Sequence, residues 1–363
     1  MSTTTDSVGS AAASGAAASG AVASGGTASE AADPEAAAST TAEAPARHDQ
    51  RDRRDQGDRR GQGDQHDRRT QPTQTSHTTR HILQGALAMS ILGASTAVSA
   101  HLTRYPVLGG QALRYTLAAA VFAVIVRRGD LPRIRPTARE WLQLVLLSAT
   151  GLVLFNVFVL AALRHTDAAT LGSVVACSPL VLAVAGPLVA RTGKRLRTGP
   201  VIGAAVLVVA GSAMVQGFGP GSAAGIVFAV LTLVCEALFS LLAVPLLPKF
   251  GALRVSAHVT AIAVPILLVT GLATDGTGML RVPTLAETAA LLYLALPLTV
   301  FAFLLWYRAL SGLGPQRAGL LIGTVPVAAC AASAALGVGT PGPAQLAGVA
   351  VVVVGIVFGL VKS

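Results

Sequence analysis

Apolar runs of about 20 residues, separated by short polar turns, recur along the chain from Ile82 to the C-terminus. A bilayer core about 30 Å thick requires roughly 20 helical residues per crossing, so each run predicts one transmembrane helix. Glycine and proline occur inside several runs, which membrane helices tolerate. The pattern therefore predicts an all-α integral membrane protein with ten helices, at about 82–101, 108–126, 142–163, 168–190, 199–216, 223–247, 255–273, 286–309, 318–337 and 343–361.

The first 81 residues do not share this pattern. Residues 1–46 are nearly all alanine, serine, glycine and threonine, and residues 47–80 form a mixed-charge, glutamine-rich run without an aliphatic side chain. Neither part can bury enough apolar surface to offset chain entropy, so we expect residues 1–81 to be a disordered, low-complexity tail. An inert extension, a start site assigned too far upstream and a binding arm all remain open for the tail. No signal peptide is expected, because the first apolar run begins so late.

The composition agrees with a membrane protein and argues against several other classes. Charged residues make up 12% of the chain, whereas soluble domains carry about 25%. The residues after position 81 are strongly basic, but their basic side chains lie between apolar runs, so we expect a lipid bilayer and no nucleic acid as partner. Cys177, Cys235 and Cys330 lie inside apolar runs without metal-ligand spacing, so we expect no disulfide, no metal and no cofactor.

Basic residues are distributed unequally between alternate turns, and this predicts the orientation. If the N-terminus is cytoplasmic, the cytoplasmic turns and the C-terminus carry 14 lysines and arginines and the outer turns carry three. Positive charge favours the cytoplasmic side, so both termini are predicted to lie in the cytoplasm, at the plasma membrane. The cytoplasmic set is Arg127, Arg128, Arg133, Arg135, Arg139, Arg191, Lys194, Arg195, Arg197, Lys249, Arg254, Arg308, Arg317 and Lys362, and the outer set is Arg104, Arg164 and Arg281.

The sequence repeats itself at an offset of 147 residues. Four residues map without a gap from one half onto the other, and each half contributes one proline to the match. The repeat divides the membrane domain into residues 82–216 and residues 223–361, with five helices each. Because five is odd, the halves must enter the membrane in opposite orientations, which is the architecture of secondary transporters. The matched residues are Ala162, Leu163, Gly172 and Pro179 with Ala309, Leu310, Gly319 and Pro326.

A family resemblance is carried by several segments taken in order. They are LRYTLAAAVFAVIVRRG, AALRHTDAATLGSVVACSPL, GKRLRTGPVIGAAVLVVAGSAMV, LLYLALPLTVFAFLLWYRAL, LLIGTVPV and QLAGVAVVVVG. Over about residues 82–361 the chain resembles the EamA-type branch of the drug/metabolite transporter superfamily. The resemblance implies a 5+5 inverted repeat, peripheral helices 5 and 10, a central cavity, and transport of small metabolites, often amino acids and often outward. The chain departs from the family after helices 4 and 9, where a glutamate is common and this sequence has none.

Glu236 is the main candidate for the transport chemistry. It lies in LTLVCEALFSLL, near the middle of the sixth run. Ionisable groups inside a bilayer cost at least about 2.5–3.5 kcal/mol and are functional candidates by default. Desolvation at that depth disfavours the ionised carboxylate, so the group can take up and release a proton. Glu236 is expected either to couple transport to the proton gradient or to bind the cationic group of an amino-acid-like substrate; a purely structural role is the alternative.

Other polar residues inside the runs are weaker candidates for binding substrate or protons. Arg114 offers a planar fork for a substrate carboxylate, or else a structural bond to backbone carbonyls. Asn156 lies deep in the third run, and His258 lies near the start of the seventh, where a satisfied structural role is favoured. Ser178 and Thr324 stand close to the matched prolines and are polar enough to line a cavity. All five are retained as candidate substrate-binding or proton-binding residues.

The matched prolines, an aromatic pair and several glycines have structural explanations as well. Pro179 and Pro326 each free a backbone carbonyl, so they are candidate helix flex points or ordinary kinks. Trp306 and Tyr307 are interpreted as membrane-interface residues rather than a substrate cage. The glycines favour close helix packing, with homodimerisation through peripheral helices as the alternative. They are Gly203 and Gly211 in the fifth run and Gly348, Gly355 and Gly359 in the tenth.

Three functional classes compete for this sequence. The first is a secondary transporter of a small polar metabolite, an amino acid or related compound, for which the resemblance implies outward transport. An intramembrane enzyme acting on lipid-linked substrates is disfavoured, because no paired aspartates or spaced histidines follow the tail. A receptor or scaffold that uses the tail gives no reason for an inverted duplication. Nucleotide hydrolysis is not expected, because no phosphate-binding GxxxxGK[ST] loop is present.

Overall fold

The computed structural model describes residues 74–129, 132, 134–189, 198–217, 219, 221–335, 337 and 340–362. In this part of the chain the regular structure is helical, apart from one isolated β-bridge between Thr166 and Gly221. Nine helical stretches in it are long and apolar enough to cross a membrane. The expected all-α membrane class is therefore confirmed. The predicted tail lies outside the described residues up to position 73.

Ten crossings, α1 to α10, follow from these stretches. Four of them are interrupted along their length: α3 and α8 contain a π-helical stretch, α9 contains a 3₁₀ turn, and α4 contains a two-residue turn after Val175. The element Leu247–Asp275 is broken at Gly251, which has φ 69°, so its crossing α7 is 252–275. The other single-piece crossings are α1 (Gln74–Ser99), α2 (Val107–Arg128), α5 (Thr198–Gln216), α6 (Ala223–Leu241) and α10 (Pro343–Lys362). The composite ones are α3 (Ala138–Ser148, Ala149–Leu154, Phe155–Leu163), α4 (Ala168–Val175, Ser178–Val189), α8 (Leu285–Tyr293, Leu294–Phe301, 302–313) and α9 (315–320, Leu321–Gly323, Thr324–Ala335).

The longest stretch makes two crossings because the chain turns back at Gly314. Leu285–Ala335 has 51 residues, and at 1.5 Å per residue one straight helix of that length would span about 77 Å. Gly314 has φ 76°, a left-handed conformation that glycine adopts without strain. A Cβ on Gly85 would lie 3.1 Å from Cβ of Ala309 and 2.5 Å from Cδ1 of Leu321. Ala309, before Gly314, and Leu321, after it, therefore both lie next to Gly85 of α1, so the chain must reverse its direction between them.

α1 begins earlier than the hydrophobic pattern predicted. Its first residue is Gln74, eight residues before the expected start at Ile82. The added residues are polar, and those from position 77 to 80 are exposed. No glycine or proline interrupts them, and adding residues to an existing helix costs little free energy. The apolar pattern therefore located the apolar part of α1, and the helix itself begins in the polar residues before that part.

α3 and α8 begin with the same capping motif at an offset of 147 residues. The motif is Pro-Thr-x-x-Glu, at 136–140 and again at 283–287. In each copy the threonine side chain accepts from the glutamate backbone N–H, and the glutamate side chain accepts from the threonine backbone N–H. This reciprocal capping box satisfies N–H groups that a helix start leaves unpaired. The duplication therefore extends to local hydrogen bonding.

The two capped helices run in opposite directions. α3 follows the last residue of α2 after a short turn, so it begins at that end of α2. α8 begins at the other end: Tyr105, which precedes α2, donates from its hydroxyl to the backbone carbonyl of Arg281 over 2.7 Å, and Arg281 is ion-paired with Glu287 in the first turn of α8. α3 and α8, which correspond to each other in the repeat, therefore cross in opposite directions.

Glycines bring α5 and α10 into backbone contact. A Cβ on Gly211 would lie 2.7 Å from the carbonyl oxygen of Gly348, and a Cβ on Gly348 would lie 2.7 Å from the carbonyl oxygen of Gly211. A Cβ on Gly355 would likewise lie 3.0 Å from Cβ of Leu207. These glycines thus serve internal packing, as small residues do between membrane helices. Gly203 is different, because no atom lies within 4 Å of a Cβ placed there.

Gly211→Ala is expected to destabilise the protein, and Gly203→Ala is its matched control on the same helix. The new methyl at position 211 would meet a backbone carbonyl that cannot rotate away, and overpacking of this kind costs about 1–3 kcal/mol. At position 203 the methyl has open space and improves helix propensity. Thermal unfolding of the purified protein in detergent should show a lower midpoint for Gly211→Ala only. Equal midpoints for the two variants would contradict this account of the α5–α10 contact.

Candidate functional site

A carboxyl group on α6 bonds to the middle of α4. Ser178 Oγ lies 2.9 Å from Glu236 Oε2, and Ser178 is halfway along the crossing Ala168–Val189. Glu236 is half-buried, and neither ion pair of the described residues includes it. Glu236 therefore lies at the level of the middle of α4, which agrees with the depth expected from the sequence. The structure also brings it together with Ser178, which was a separate candidate.

The proline in α4 explains how Ser178 serves this carboxyl. Pro179 has no N–H and cannot bond to the carbonyl four residues earlier, at Val175. Ser178 Oγ lies 2.7 Å from that carbonyl oxygen as well as 2.9 Å from Glu236. Its single proton donates to Glu236 when the carboxylate is ionised, and to Val175 when a protonated Glu236 is itself the donor. Rotation of one hydroxyl thus keeps both protonation states hydrogen-bonded.

Arg114 on α2 bonds to the π-helical stretch of α8. Its Nε donates to Thr299 Oγ1 over 2.6 Å, and Thr299 Oγ1 donates to the carbonyl of Leu294 over 2.8 Å. The guanidinium lies 5.0 Å from the centre of the Tyr115 ring. Arg114 is only 9% exposed, and neither ion pair of the described chain includes it. A buried guanidinium without a carboxylate retains N–H groups for an anionic ligand.

The remaining polar candidates are bonded within their own helices. Asn156 Nδ2 donates to the Leu152 carbonyl over 2.6 Å, and Thr324 Oγ1 donates to the Leu321 carbonyl over 2.8 Å. His258 Nδ1 lies 2.7 Å from the carbonyl oxygen of Arg254. None of these bonds joins them to Glu236 or Arg114. The structure therefore groups Glu236 with Ser178 and leaves the other three in local contacts.

His258 lies near the face of the membrane where α3 begins. Its ring packs edge-on against Trp141, with 5.7 Å between ring centres, and against Phe250 at 6.1 Å. Trp141 follows Glu140, which pairs with Lys249 at 2.7 Å. His258 is thus part of a contact between the first half and the start of α7.

Both matched prolines stand where a helix changes winding. Pro179 follows the interruption between Val175 and Ser178 in α4. Pro326 follows the 3₁₀ turn Leu321–Gly323 in α9. Both prolines are buried. Each half therefore has one interrupted helix at the equivalent position, and the use of these interruptions as flex points remains a proposal.

An aromatic wall lies between α6 and α8, and it corrects the interpretation of Trp306 and Tyr307. Trp306 is 3% exposed and Tyr307 is 0% exposed, so neither is a membrane-interface residue. α8 continues to residue 313, whereas the sequence predicted its end at 309, and the pair therefore lies farther from the helix end. The wall consists of Tyr307, Phe239 and Phe303, with ring centres 5.1 to 6.3 Å apart.

Trp306 connects this wall to the helix that carries the carboxyl. Its Nε1 donates to Ser240 Oγ over 3.2 Å. Ser240 lies four residues after Glu236 on α6, so both side chains stand on one helix face. Sequence reasoning did not select Ser240, although its spacing from Glu236 was a usable signal. The wall and the carboxyl therefore border the same region.

The polar groups at the centre break the symmetry of the repeat. The capping boxes, the π-helical stretches and the prolines all recur at the offset of 147 residues. At the same offset Glu236 corresponds to Met89, Ser178 to Val325 and Tyr307 to Leu160. The features of helix starts and helix interruptions are shared by the halves, whereas these polar groups occur in one half only. The unmatched groups are therefore the candidates for chemistry.

Other acidic groups of the described chain are held at the membrane edges. Glu140 pairs with Lys249, and Glu287 pairs with Arg281. Asp167 caps α4, and the hydrogen bonds from Thr170 lower the pKa of Asp167 below its ordinary value. These groups remain ionised near neutral pH and have fixed partners. Glu236 differs from them in depth, because its partner Ser178 lies at the middle of a crossing.

Two five-helix halves that repeat each other around a polar, asymmetric centre are typical of secondary transporters. The model of the EamA-like transporter family matches residues 79–216 and again residues 223–361. The chain therefore belongs to the EamA-like transporter family, as the sequence resemblance indicated, and it is a multi-pass membrane transporter rather than an enzyme.

Two individual proteins are similar to this chain. The uncharacterized transporter YetK of Bacillus subtilis (strain 168) is 28% identical over 255 residues, which cover 67% of this chain and 76% of YetK. A protein of known crystal structure superposes with a TM-score of 0.66 at 21% identity, covering 78% of this chain and 98% of that one. The structural likeness supports the fold.

Proposed function

We propose that this transporter moves a small polar metabolite, an amino acid or a related compound, out of the cell across the cytoplasmic membrane by alternating access, with Glu236 as the proton-coupling group. The observation that carries the proposal is the half-buried carboxyl at the middle of the membrane, hydrogen-bonded by Ser178 and without a cation. A coupling group must be stable in both protonation states, and the two acceptors of Ser178 provide this.

The charges at the centre fit a zwitterion. Arg114 supplies a buried guanidinium on the first half, and Glu236 supplies a carboxyl on the second. An amino acid presents a carboxylate and an ammonium group, which these side chains bind by charge-assisted hydrogen bonds. Charges of both signs without an ion-pair partner in the described chain favour a ligand that carries both charges.

Contacts between the halves at both membrane faces suit alternating access. At the face where α3 begins, Lys249 pairs with Glu140 across the halves. At the other face, Tyr105 bonds to Arg281 across the halves. An exposed ion pair contributes only about 0–1 kcal/mol, so the Lys249–Glu140 contact opens at low cost. The interruptions at Pro179 and Pro326 provide the flex points for such movement.

The orientation in this proposal has both termini in the cytoplasm of a plasma-membrane protein. The excess of basic residues in alternate turns supports it. With that orientation the pair Lys249–Glu140 lies at the cytoplasmic face and Tyr105–Arg281 at the outer face. The contact between α5 and α10 argues against a homodimer through these helices, because their glycines already pack against each other within one chain.

A metabolite comparison tests the proposed function. A deletion strain and an overexpressing strain are grown in minimal medium, and amino acids and related metabolites are quantified in the medium and in the cytosol. Efflux predicts that at least one amino acid or relative falls inside and rises outside on overexpression, with the reverse on deletion. Unchanged distributions of every small molecule measured would reject the proposal, and a receptor that uses the tail would then replace it.

A further inference from the structure

The hydroxyl of Tyr307 is buried without a hydrogen-bond partner. Tyr307 is 0% exposed, and its Oη is one of two buried side-chain polar atoms in the described residues that have no partner, the other being Ser256 Oγ. A buried hydroxyl without a hydrogen-bond partner destabilises the folded protein relative to a phenylalanine at the same position. A group that costs stability requires another reason for its presence.

The ring of Tyr307 packs in the region that holds the two charged candidates. It stacks on Phe239 of α6 with 5.3 Å between centres, and the preceding Trp306 bonds to α6 one turn from Glu236. Tyr307 also belongs to the same buried cluster as Tyr115 of α2, whose ring lies 5.0 Å from the guanidinium of Arg114. The residue therefore packs against the helix of Glu236 and shares a buried cluster with the neighbour of Arg114.

Packing alone does not explain the hydroxyl. Leu160 occupies the equivalent position of the first half, so the repeat does not need a polar group there. The ring contacts to Phe239 and Phe303 would be equally available to phenylalanine. Packing therefore explains the ring of Tyr307 but not its hydroxyl oxygen.

The segment that carries Tyr307 is bounded by two interruptions of α8. The π-helical stretch ends at Phe301, six residues before Tyr307, and the left-handed turn at Gly314 follows seven residues after it. Residues 302–313 therefore form a short helical segment between two points where the backbone departs from α-helical geometry.

We infer that Tyr307 is a substrate-binding residue whose hydroxyl donates a hydrogen bond to the carboxylate of the substrate, beside Arg114, in the substrate-bound conformation. The inference rests on the proposed function and adds a specific atom to it. In the substrate-free conformation the hydroxyl is unsatisfied, and substrate supplies the missing acceptor.

Tyr307→Phe tests the inference, with Ser256→Ala as the matched control because it removes the other unpartnered buried hydroxyl. The full chain is purified in detergent, and each of the twenty proteinogenic amino acids is tested for stabilisation against heat. The amino acid with the largest effect is then used as the probe, together with the amine that lacks its carboxylate.

Tyr307→Phe should unfold at the same or a higher temperature than the wild type without probe, yet bind the amino acid about 10- to 100-fold more weakly, the effect of one hydrogen bond to a charged group. The wild type and Tyr307→Phe should bind the amine equally, and Ser256→Ala should bind both probes like the wild type. Unchanged amino-acid affinity in Tyr307→Phe would overturn the inference alone. A wild type that no amino acid stabilises would overturn the proposed substrate class and this inference with it.

Discussion

Glu236→Gln is expected to abolish the dependence of transport on the pH gradient. Glutamine keeps the shape of the side chain and can still bond to Ser178, but it cannot take up a proton. For an exchanger that moves one proton per substrate, each unit of pH difference is equivalent to about 1.4 kcal/mol and supports about tenfold accumulation. Proteoliposomes that contain the wild type should reach that ratio for the substrate found by metabolite comparison, and the variant should reach none.

Glu140→Gln is the matched control for this experiment. Glu140 is a carboxylate at the start of α3, paired with Lys249 in a partly exposed ion pair. Glutamine also functions at the third position of a capping box, so the helix start is preserved. The control should still reach the pH-driven gradient of substrate, because the Lys249–Glu140 contact between the halves affects how fast the transporter opens and not whether a proton is exchanged. If Glu236→Gln also keeps full pH-driven transport, Glu236 does not couple transport to protons, and its role is confined to substrate binding or structure.

Arg114→Lys should weaken substrate binding by about 10- to 100-fold, the range expected for losing a hydrogen bond to a charged group. Lysine keeps the positive charge, but it lacks the planar fork that binds a carboxylate through two parallel hydrogen bonds. The loss should therefore appear as a higher substrate concentration for half-maximal transport. Equilibrium binding of the same amino acid to the purified variant provides an independent measurement.

Thr299→Val separates a binding role of Arg114 from a structural one. This change removes the bond between Arg114 Nε and Thr299 Oγ1 and leaves the guanidinium in place. If Arg114 only joins α2 to α8, both variants should lower the unfolding temperature equally and leave affinity unchanged. If it binds substrate, Thr299→Val should affect affinity much less than Arg114→Lys. Equal affinities for both variants and the wild type would remove Arg114 from the site.

The sequence was sufficient for the helix count and the family because both depend on patterns that extend over hundreds of residues. Apolar length specifies crossings, and an offset common to several residues specifies the duplication. The second Pro-Thr-x-x-Glu motif, at 283–287, was also readable as a helix start and would have strengthened the repeat. The exact ends of individual helices were harder to predict. The first polar turns of α1 and the last turn of α8 continue the helix without a regular apolar pattern to mark it.

Partners across helices could not be read from the sequence. The depth of Glu236 followed from its position in an apolar run, but its bond to Ser178 depends on which face of α4 packs against α6. Trp306 and Tyr307 were assigned to the interface because Trp and Tyr are enriched there, and packing against α6 decided otherwise. Candidate residue types were therefore predictable, whereas their grouping into a site required the packed structure.

The contact between α5 and α10 has a consequence for the order of assembly. Gly211 and Gly348 are in backbone contact, but 137 residues of synthesis separate them along the chain. At roughly 5–20 residues per second, α5 emerges from the ribosome about 7–27 s before its partner exists. During that interval its glycine-rich face is open to lipid and to other membrane segments. The last helix to be synthesised thus completes the packing of the first half, so a chain that stops before Pro343 leaves α5 without its partner.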